Sequence, residues 1–130
     1  VKDALQEFMT RGTAGRKSSF LNRKDIGGKT GTTNDAISTW FSGFHDDLAT
    51  TVWVGTDDFT SLGDDEYGST IALPIWLDFM SDVLVDLDIK ESKIPEGLSF
   101  ARVNKKTGKI DESVNADIYF ELFLNENIKD

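Results

Sequence analysis

Three segments of the chain are rich in β-branched and aromatic residues, and short polar links separate them. They run over residues 26–33, 40–44 and 50–56. This composition is typical of strands, and the polar link His45-Asp46-Asp47 predicts a hairpin between the second segment and the third. We therefore expect an antiparallel meander whose first strand lies at an edge of the sheet.

Helical spacing of apolar residues predicts a helix on each side of this meander. The first helix is expected to stop at Gly12, and its apolar positions are Val1, Ala4, Leu5, Phe8 and Met9. A longer helix is predicted from Ser69 or Thr70 to about Leu87, with a hydroxyl cap and with Pro74 near its first turn. Its apolar face, which we expect to pack on the sheet, comprises Ile71, Ala72, Ile75, Trp76, Phe79, Met80, Val83 and Leu84. The predicted fold class is α+β, an antiparallel sheet flanked by helices.

A second, smaller part of the chain is predicted after residue 94. Residues 98–103 are expected to pair with Lys109-Ile110 across the turn Lys105-Lys106-Thr107-Gly108, as a small hairpin. The predicted division is therefore 1–94, with the meander and both helices, and 95–130, a tail with a hairpin.

Composition and charge exclude several classes of function. The chain has 130 residues, of which 38% are hydrophobic and 11% aromatic, so it can bury a core. A net charge of -9 argues against nucleic-acid binding, which relies on a basic surface. The sequence has neither the apolar run of about 18 residues that a membrane helix needs nor a signal peptide, so we expect any anchor or export signal to lie upstream. Cysteine is absent, which excludes disulfides and thiolate metal sites.

Three charged features have a simple structural interpretation. The acidic segment 57–68 lacks the spacing of an EF-hand, so we expect a solvated loop, no metal and no cofactor. The basic stretch 11–24 is expected to be a solvated loop, or alternatively to flank a cleft that attracts an anionic substrate. The single histidine, His45, falls at a predicted turn and is expected on the surface rather than in the role of a general base.

The run Lys29-Thr30-Gly31-Thr32-Thr33 is the strongest chemical signal in the chain. Successive side chains of a strand point to opposite faces, so Thr30 and Thr32 share one face and Lys29, Gly31 and Thr33 the other. A cation beside strand hydroxyls can bind a carboxylate, and glycine allows a substrate to approach the backbone closely. The same K-T-G string recurs at Lys106-Thr107-Gly108, where the flanking residues predict a turn.

The sequence around the first copy resembles the C-terminal part of the transpeptidase domain of class A penicillin-binding proteins, whose motifs include K-T-G. The resemblance runs from about residue 4 to residue 123. It rests on the segments Gly12-Thr13-Ala14-Gly15, Trp40-Phe41-Ser42-Gly43-Phe44, Val52-Trp53-Val54-Gly55-Thr56-Asp57-Asp58 and Ala72-Leu73-Pro74-Ile75-Trp76-Leu77-Asp78-Phe79-Met80. It implies a penicillin-binding/β-lactamase-like transpeptidase fold.

The resemblance also implies a chemistry and a set of roles. In that family a serine attacks the D-Ala-D-Ala end of a peptidoglycan stem peptide, or a β-lactam, and forms an acyl-enzyme. Lys29 would be the catalytic cation, and Thr30, Gly31, Thr32 and Thr33 would bind substrate. The backbone N–H of Thr32 would be one donor of the oxyanion hole.

The nucleophile of the family is not evident in this sequence. None of the ten serines is followed by lysine three positions later, as the S-x-x-K motif requires. Ser113-Val114-Asn115 fits the S-x-N motif as a string but follows K-T-G, whereas the family places it before. We therefore expect one of three catalytic motifs in this chain, and an isolated chain that is inactive.

Three hypotheses of function remain. The first is the C-terminal piece of a serine-type D,D-transpeptidase at the periplasmic face of the inner membrane. An upstream half would complete its domain, and a separate glycosyltransferase domain would be joined to it. The second is a non-catalytic module that binds stem peptide, β-lactam or a protein partner, and the third is a β-lactamase-like hydrolase fragment. An open strand edge and an uncovered apolar face also predict self-association.

Overall fold

The structure is a computed structural model that describes residues 1–91, 93–113 and 117–128. The chain forms two compact units, a larger one over Val1–Glu91 and a smaller one over Ser92–Asp130. The larger unit contains α1 (Lys2–Thr10), α2 (Gly15–Ser18), β1 (Gly27–Thr32), β2 (Ser38–His45), β3 (Leu48–Gly55) and α3 (Ala72–Val83). The smaller unit contains β4 (Leu98–Asn104) and β5 (Ile118–Leu124). Within the described residues, no helix combines the length and the apolar character needed to cross a membrane.

The sheet of the larger unit is the expected antiparallel meander, with the strand order β1-β2-β3. Lys29 pairs with Ser42 and Thr30 with Phe41 in the β1–β2 ladder. Among the described strands β1 therefore lies at an edge, which confirms that prediction. The β2–β3 turn is tighter than expected, because His45 already pairs with Leu48 inside the ladder.

The core lies between the sheet and α3 and is centred on Trp76. The Trp76 ring is fully buried, packs against the Phe41 ring at a centroid distance of 4.9 Å, and donates its Nε1–H to the Thr50 carbonyl at 3.1 Å. Gly43 lies beneath this ring, and a Cβ there would come within 2.4 Å of it. The absence of a side chain at Gly43 therefore lets the indole approach the sheet.

Helix α3 differs from its prediction at both ends and in its buried face. It begins at Ala72 without a side-chain cap and ends at Val83, not at Leu87. The predicted hydroxyl cap is wrong, because Thr70 Oγ1 accepts the Tyr67 N–H in the preceding turn instead. The buried positions are Ala72, Leu73, Trp76, Leu77 and Met80 of the helix and Leu84 just beyond it, whereas Ile75, Phe79 and Val83 are 49%, 45% and 38% exposed. The helix therefore buries the face that contains Trp76 and leaves the neighbouring apolar stripe partly exposed.

A buried ionic network lies at the His45 end of the sheet. The Arg23 guanidinium binds both carboxylate oxygens of Asp25, at 3.0 and 2.7 Å, and donates to the carbonyls of Leu84 and Leu87 beyond α3. Asp25 also contacts His45 Nε2 at 3.2 Å. The expectations of a surface histidine and of a solvated Arg23 are therefore wrong. Both side chains are buried because Asp25, itself buried, pairs with them.

In the smaller unit, β4 pairs along its whole length with β5. The predicted partner of β4, Lys109-Ile110, contributes only the single bridge between Val103 and Ile110. Val103 pairs with Tyr119 of β5 as well as with Ile110, so the two pairings use opposite edges of β4. The turn at Lys105–Gly108 is confirmed, with φ of 67° at Gly108 and the Asn104 side chain accepting the N–H groups of Lys106 and Thr107.

Candidate functional site

The motif strand β1 presents its two sets of side chains as predicted. Thr30 and Thr32 pair with Phe41 and Thr39, which are both fully buried, so these hydroxyls share the face that carries α3. Lys29 pairs with Ser42 on the opposite face. Toward the end of the strand the face of Thr32 is open to solvent, because the Thr32 side chain is exposed although its partner Thr39 is not.

The backbone of Thr32 faces the open edge of the sheet. Just beyond the strand, the Thr33 N–H donates to the Ser38 carbonyl at 3.0 Å, which makes these two residues a hydrogen-bonded pair. In an antiparallel ladder the next pair, Thr32 with Thr39, is then not hydrogen-bonded. The Thr32 N–H therefore points away from β2, to the open edge of the sheet. An acyl oxygen that binds at this edge can accept it.

The Lys29 side chain remains beside its own strand. Its Nζ donates to the Thr30 carbonyl at 3.0 Å, lies 3.4 Å from Thr30 Oγ1, and sits 5.2 Å from the centre of the Phe8 ring in α1. No carboxylate of the described residues forms a salt bridge with it. An exposed cation without an ionic partner, held next to strand hydroxyls, can attract an anionic group.

The hydroxyls of Thr30 and Thr32 are both oriented by donors. Thr32 Oγ1 accepts the backbone N–H of Gly68 at 3.0 Å, and Thr30 Oγ1 is within reach of Lys29 Nζ. A hydroxyl carries one proton and two acceptor lone pairs. Because each partner is itself a donor, the two hydroxyl protons stay available for an acceptor such as a carboxylate.

Thr33, the last predicted site residue, has its hydroxyl engaged in the β1–β2 turn. It accepts the Ser38 N–H at 2.8 Å and donates to the Ser38 carbonyl at 3.2 Å. The turn holds two non-glycine residues at positive φ, Asp35 at 58° and Ala36 at 49°. Such conformations are strained, and the surrounding structure must hold them in place.

The acidic loop, residues 57–68, holds the turn in this conformation. The sequence did not predict this contact. Ser61 Oγ donates to the Asp35 carbonyl at 2.7 Å, and the Leu62 N–H donates to the Ala36 carbonyl at 2.9 Å. The loop then reaches Thr32 through Gly68. The only signal in the sequence was a glycine after a run of acidic residues, and spacing alone does not predict a contact across 36 residues.

The described residues do not place an activated serine beside the motif. Ser42, opposite Lys29 in the ladder, has its hydroxyl 3.0 Å from that of Thr51, and neither Lys29 nor His45 is hydrogen-bonded to a serine in the part of the chain that the structure describes. Of the S-x-N string, Val114 and Asn115 lie outside the described residues. Within those residues, His, Asp and Glu side chains form no group that could hold a metal ion.

Comparison with known proteins identifies relatives of this chain. It is 44% identical to penicillin-binding protein 1A of Pseudomonas aeruginosa over 123 residues, which are 95% of this chain and 15% of that protein. It is 46% identical to penicillin-binding protein 1A of Neisseria gonorrhoeae over 94 residues, 72% of this chain and 12% of that protein. No family model matches the chain.

The crystal structure of penicillin-binding protein 1A from Haemophilus influenzae matches the fold with a TM-score of 0.87 and 31% identity, over 95% of this chain and 19% of that one. This chain belongs to the penicillin-binding protein 1A family. The predicted fold class, an α+β transpeptidase-like fold with an antiparallel sheet and flanking helices, is confirmed by the same match. The chain spans less than a fifth of the length of the penicillin-binding protein 1A relatives that it matches.

Proposed function

We propose that this chain forms the carboxylate-binding wall of a serine acyl-transfer site that cross-links peptidoglycan stem peptides. The observation that carries the proposal is the edge strand β1, on which Lys29, Thr30 and Thr32 combine a cation with two available hydroxyl protons. The relatives named penicillin-binding protein 1A support it, and we extend penicillin binding from their name to the parent of this chain. By "parent polypeptide" we mean the longer protein of which this chain would be part.

Each residue has a defined role in this proposal. The Lys29 ammonium attracts the terminal carboxylate of the D-Ala-D-Ala end, or of a β-lactam, and lowers the cost of charge near the attacked serine. The hydroxyls of Thr30 and Thr32 donate to that carboxylate, since their lone pairs already accept from Lys29 and Gly68. The Thr32 N–H, directed to the open edge, donates to the developing oxyanion.

The remaining parts of the chemistry come from the parent polypeptide. An acyl transfer needs an activated nucleophile, and no described serine of this chain is hydrogen-bonded to Lys29 or His45. We propose that an upstream half of the same domain contributes the serine and its base. We place the domain at the periplasmic face of the inner membrane, held by an upstream anchor.

The chain contains an internal control for testing these roles, because K-T-G occurs twice in different structures. The experiment measures the rate at which a fluorescent penicillin acylates the parent polypeptide. Lys29→Ala should lower the second-order rate by about 100-fold, the scale of losing one preorganised group at the reacting centre. Lys106→Ala, in the β4 turn, should leave the rate unchanged.

Thr30→Val and Thr107→Val form a second matched pair. The first removes a hydroxyl from β1 and should slow acylation by about 10-fold, the scale of one hydrogen bond to a charged group. The second removes a hydroxyl whose contact lies within the turn. Equal rates for all four variants and the unmodified protein would contradict the proposed site. Binding of penicillin without any covalent adduct would instead favour the non-catalytic module.

A further inference from the structure

Gly68 is buried in the acidic loop, directly over the motif strand. A Cβ on this residue would come within 2.5 Å of the Trp40 carbonyl oxygen, 2.8 Å of the Gly31 carbonyl oxygen and 3.1 Å of the Thr30 Cβ. Two of these three neighbours are backbone atoms of paired strand residues, which cannot rotate away. Any side chain at this position must therefore separate the loop from β1.

Both backbone polar groups of Gly68 are used. Its N–H donates to Thr32 Oγ1 at 3.0 Å, and its carbonyl accepts the Leu73 N–H at 2.8 Å in the first turn of α3. Leu73 is fully buried in the core. Gly68 thus connects the rigid start of α3 to the hydroxyl that the proposed substrate carboxylate would contact.

The direction of the hydrogen bond to Thr32 matters for chemistry. An N–H can only donate, so it occupies an acceptor lone pair of Thr32 Oγ1 and turns the hydroxyl proton toward other acceptors. Without this donor, the hydroxyl of an exposed threonine would rotate among its staggered positions. A hydroxyl that is already oriented loses no rotational freedom when the substrate binds, so binding carries a smaller entropic cost.

We propose that Gly68 is a positioning residue of the acyl-transfer site, which fixes the Thr32 hydroxyl as a donor to the substrate carboxylate. The role rests on the function proposed above. It explains why a loop with no helix or strand comes close enough to β1 to exclude a Cβ. The role belongs to the backbone of Gly68, and it predicts an effect through Thr32 and not through the nucleophile.

The test compares acylation of the parent polypeptide by fluorescent penicillin in Gly68→Ala, Thr32→Val and the double variant. Gly68→Ala should lower the second-order rate by about 10- to 100-fold, since misplacement by about an ångström has effects of that size. In the Thr32→Val background the same substitution should have little further effect. The rate of the acylation step at saturating penicillin should change less than the apparent affinity.

Three controls separate positioning from general damage. Tyr67→Phe changes the neighbouring loop residue, whose hydroxyl donates to Asp65 in the loop at 3.4 Å, and should be without effect. Thr39→Val makes the same substitution as Thr32→Val at its cross-strand partner, whose buried hydroxyl has no hydrogen-bond partner among the described residues, and should also leave the rate unchanged. Thr32→Ser keeps the hydroxyl and should retain most of the rate that Thr32→Val loses.

A second measurement covers the case in which Gly68→Ala folds poorly. In the 130-residue chain, amide hydrogen exchange of Gly68 should be slow in the unmodified and Thr32→Ser forms and faster in Thr32→Val. Normal acylation in folded Gly68→Ala, additive rate losses in the double variant, or unchanged Gly68 exchange in Thr32→Val would each overturn the positioning role. The proposed function would still be supported in each of these cases if Lys29→Ala lowers the acylation rate. A parent polypeptide that penicillin does not acylate would contradict the proposed function itself.

Discussion

Asp25 Oδ2 and His45 Nε2 lie 3.2 Å apart in the interior of the larger unit, although 20 residues separate them in the chain. The same carboxylate oxygen accepts from the Arg23 guanidinium at 2.7 Å and from the Lys90 N–H at 2.8 Å. Asp25 therefore joins the entry to β1, the end of β2 and the segment after α3. This network holds the motif strand to the rest of the larger unit from the end opposite Gly68.

Removing the Asp25 charge should destabilise the chain strongly. In Asp25→Asn the Arg23 side chain, 8% exposed, loses its anionic partner, and a cation left buried without one costs about 3 kcal/mol or more. Urea unfolding followed by tryptophan fluorescence measures the change. Asp46→Asn is the matched control, because it removes a carboxylate that pairs with Lys2 at the surface, and it should have a much smaller effect. Equal effects of the two variants would contradict the importance of the buried network.

Acid should weaken the fold through the same residue. Burial raises the pKa of Asp25, but the hydrogen bond and charge of Arg23 and the Lys90 N–H outweigh it and hold the pKa below its ordinary value. In the unfolded chain the carboxyl has its ordinary pKa and binds protons more readily, so its contribution is complete above that pKa. The contribution is lost as the pH falls through the lower folded pKa. Unfolding free energies measured between pH 6 and about 2.5 should decline at the acid end, and Asp25→Asn should flatten that decline. An identical acid profile in both proteins would show that other groups cause the loss.

Trp76 should contribute more to stability than either exposed tryptophan. Trp76→Ala leaves a cavity beneath α3 and removes the hydrogen bond to the Thr50 carbonyl, at a cost of about 4 kcal/mol. Trp53→Ala makes the same substitution at a side chain that is 47% exposed, and it should cost about 1 kcal/mol. Thermal unfolding followed by circular dichroism distinguishes the two. A larger loss for Trp53→Ala would mean that the core is not centred on Trp76.

The isolated chain should self-associate through the uncovered stripe of α3. Ile75 and Phe79 lie one helical turn apart and are each nearly half exposed, so they form an apolar patch that water solvates poorly. Sedimentation velocity should show species larger than a monomer, and the double variant Ile75→Ser/Phe79→Ser should reduce them. Val85→Ser, at a 74% exposed residue beyond the helix, is the control and should change little. A monomer at all concentrations of the unmodified chain would contradict this prediction.

The sheet and its edge could be predicted from sequence because their signals are local. Alternation and β-branched residues mark the strands, and a short polar link marks the hairpin. The two K-T-G copies illustrate the same point. The first copy follows Ile26 and two glycines and lies in a strand. The second copy lies in a turn, because the Asn104 side chain accepts the backbone N–H groups of Lys106 and Thr107.

The parts that could not be predicted depend on contacts between distant residues. His45 is the last residue of β2 and precedes two aspartates, which is typical of a surface turn, and its buried position is explained by the contact with buried Asp25. The contact of Gly68 with β1 likewise cannot be predicted locally, because its partners Gly31 and Thr32 belong to another part of the chain. The width of the α3 apolar face was also misleading, since it does not indicate how much of that face the sheet covers.

The central claim is that this chain supplies the K-T-G strand of an acyl-transfer site and not its nucleophile. The most direct test is the intact mass of the 130-residue chain after incubation with a penicillin. We predict an unchanged mass, with a single acyl adduct on a serine outside this chain when the parent polypeptide is treated in the same way. A stoichiometric adduct on one of the ten serines of the isolated chain would contradict the account.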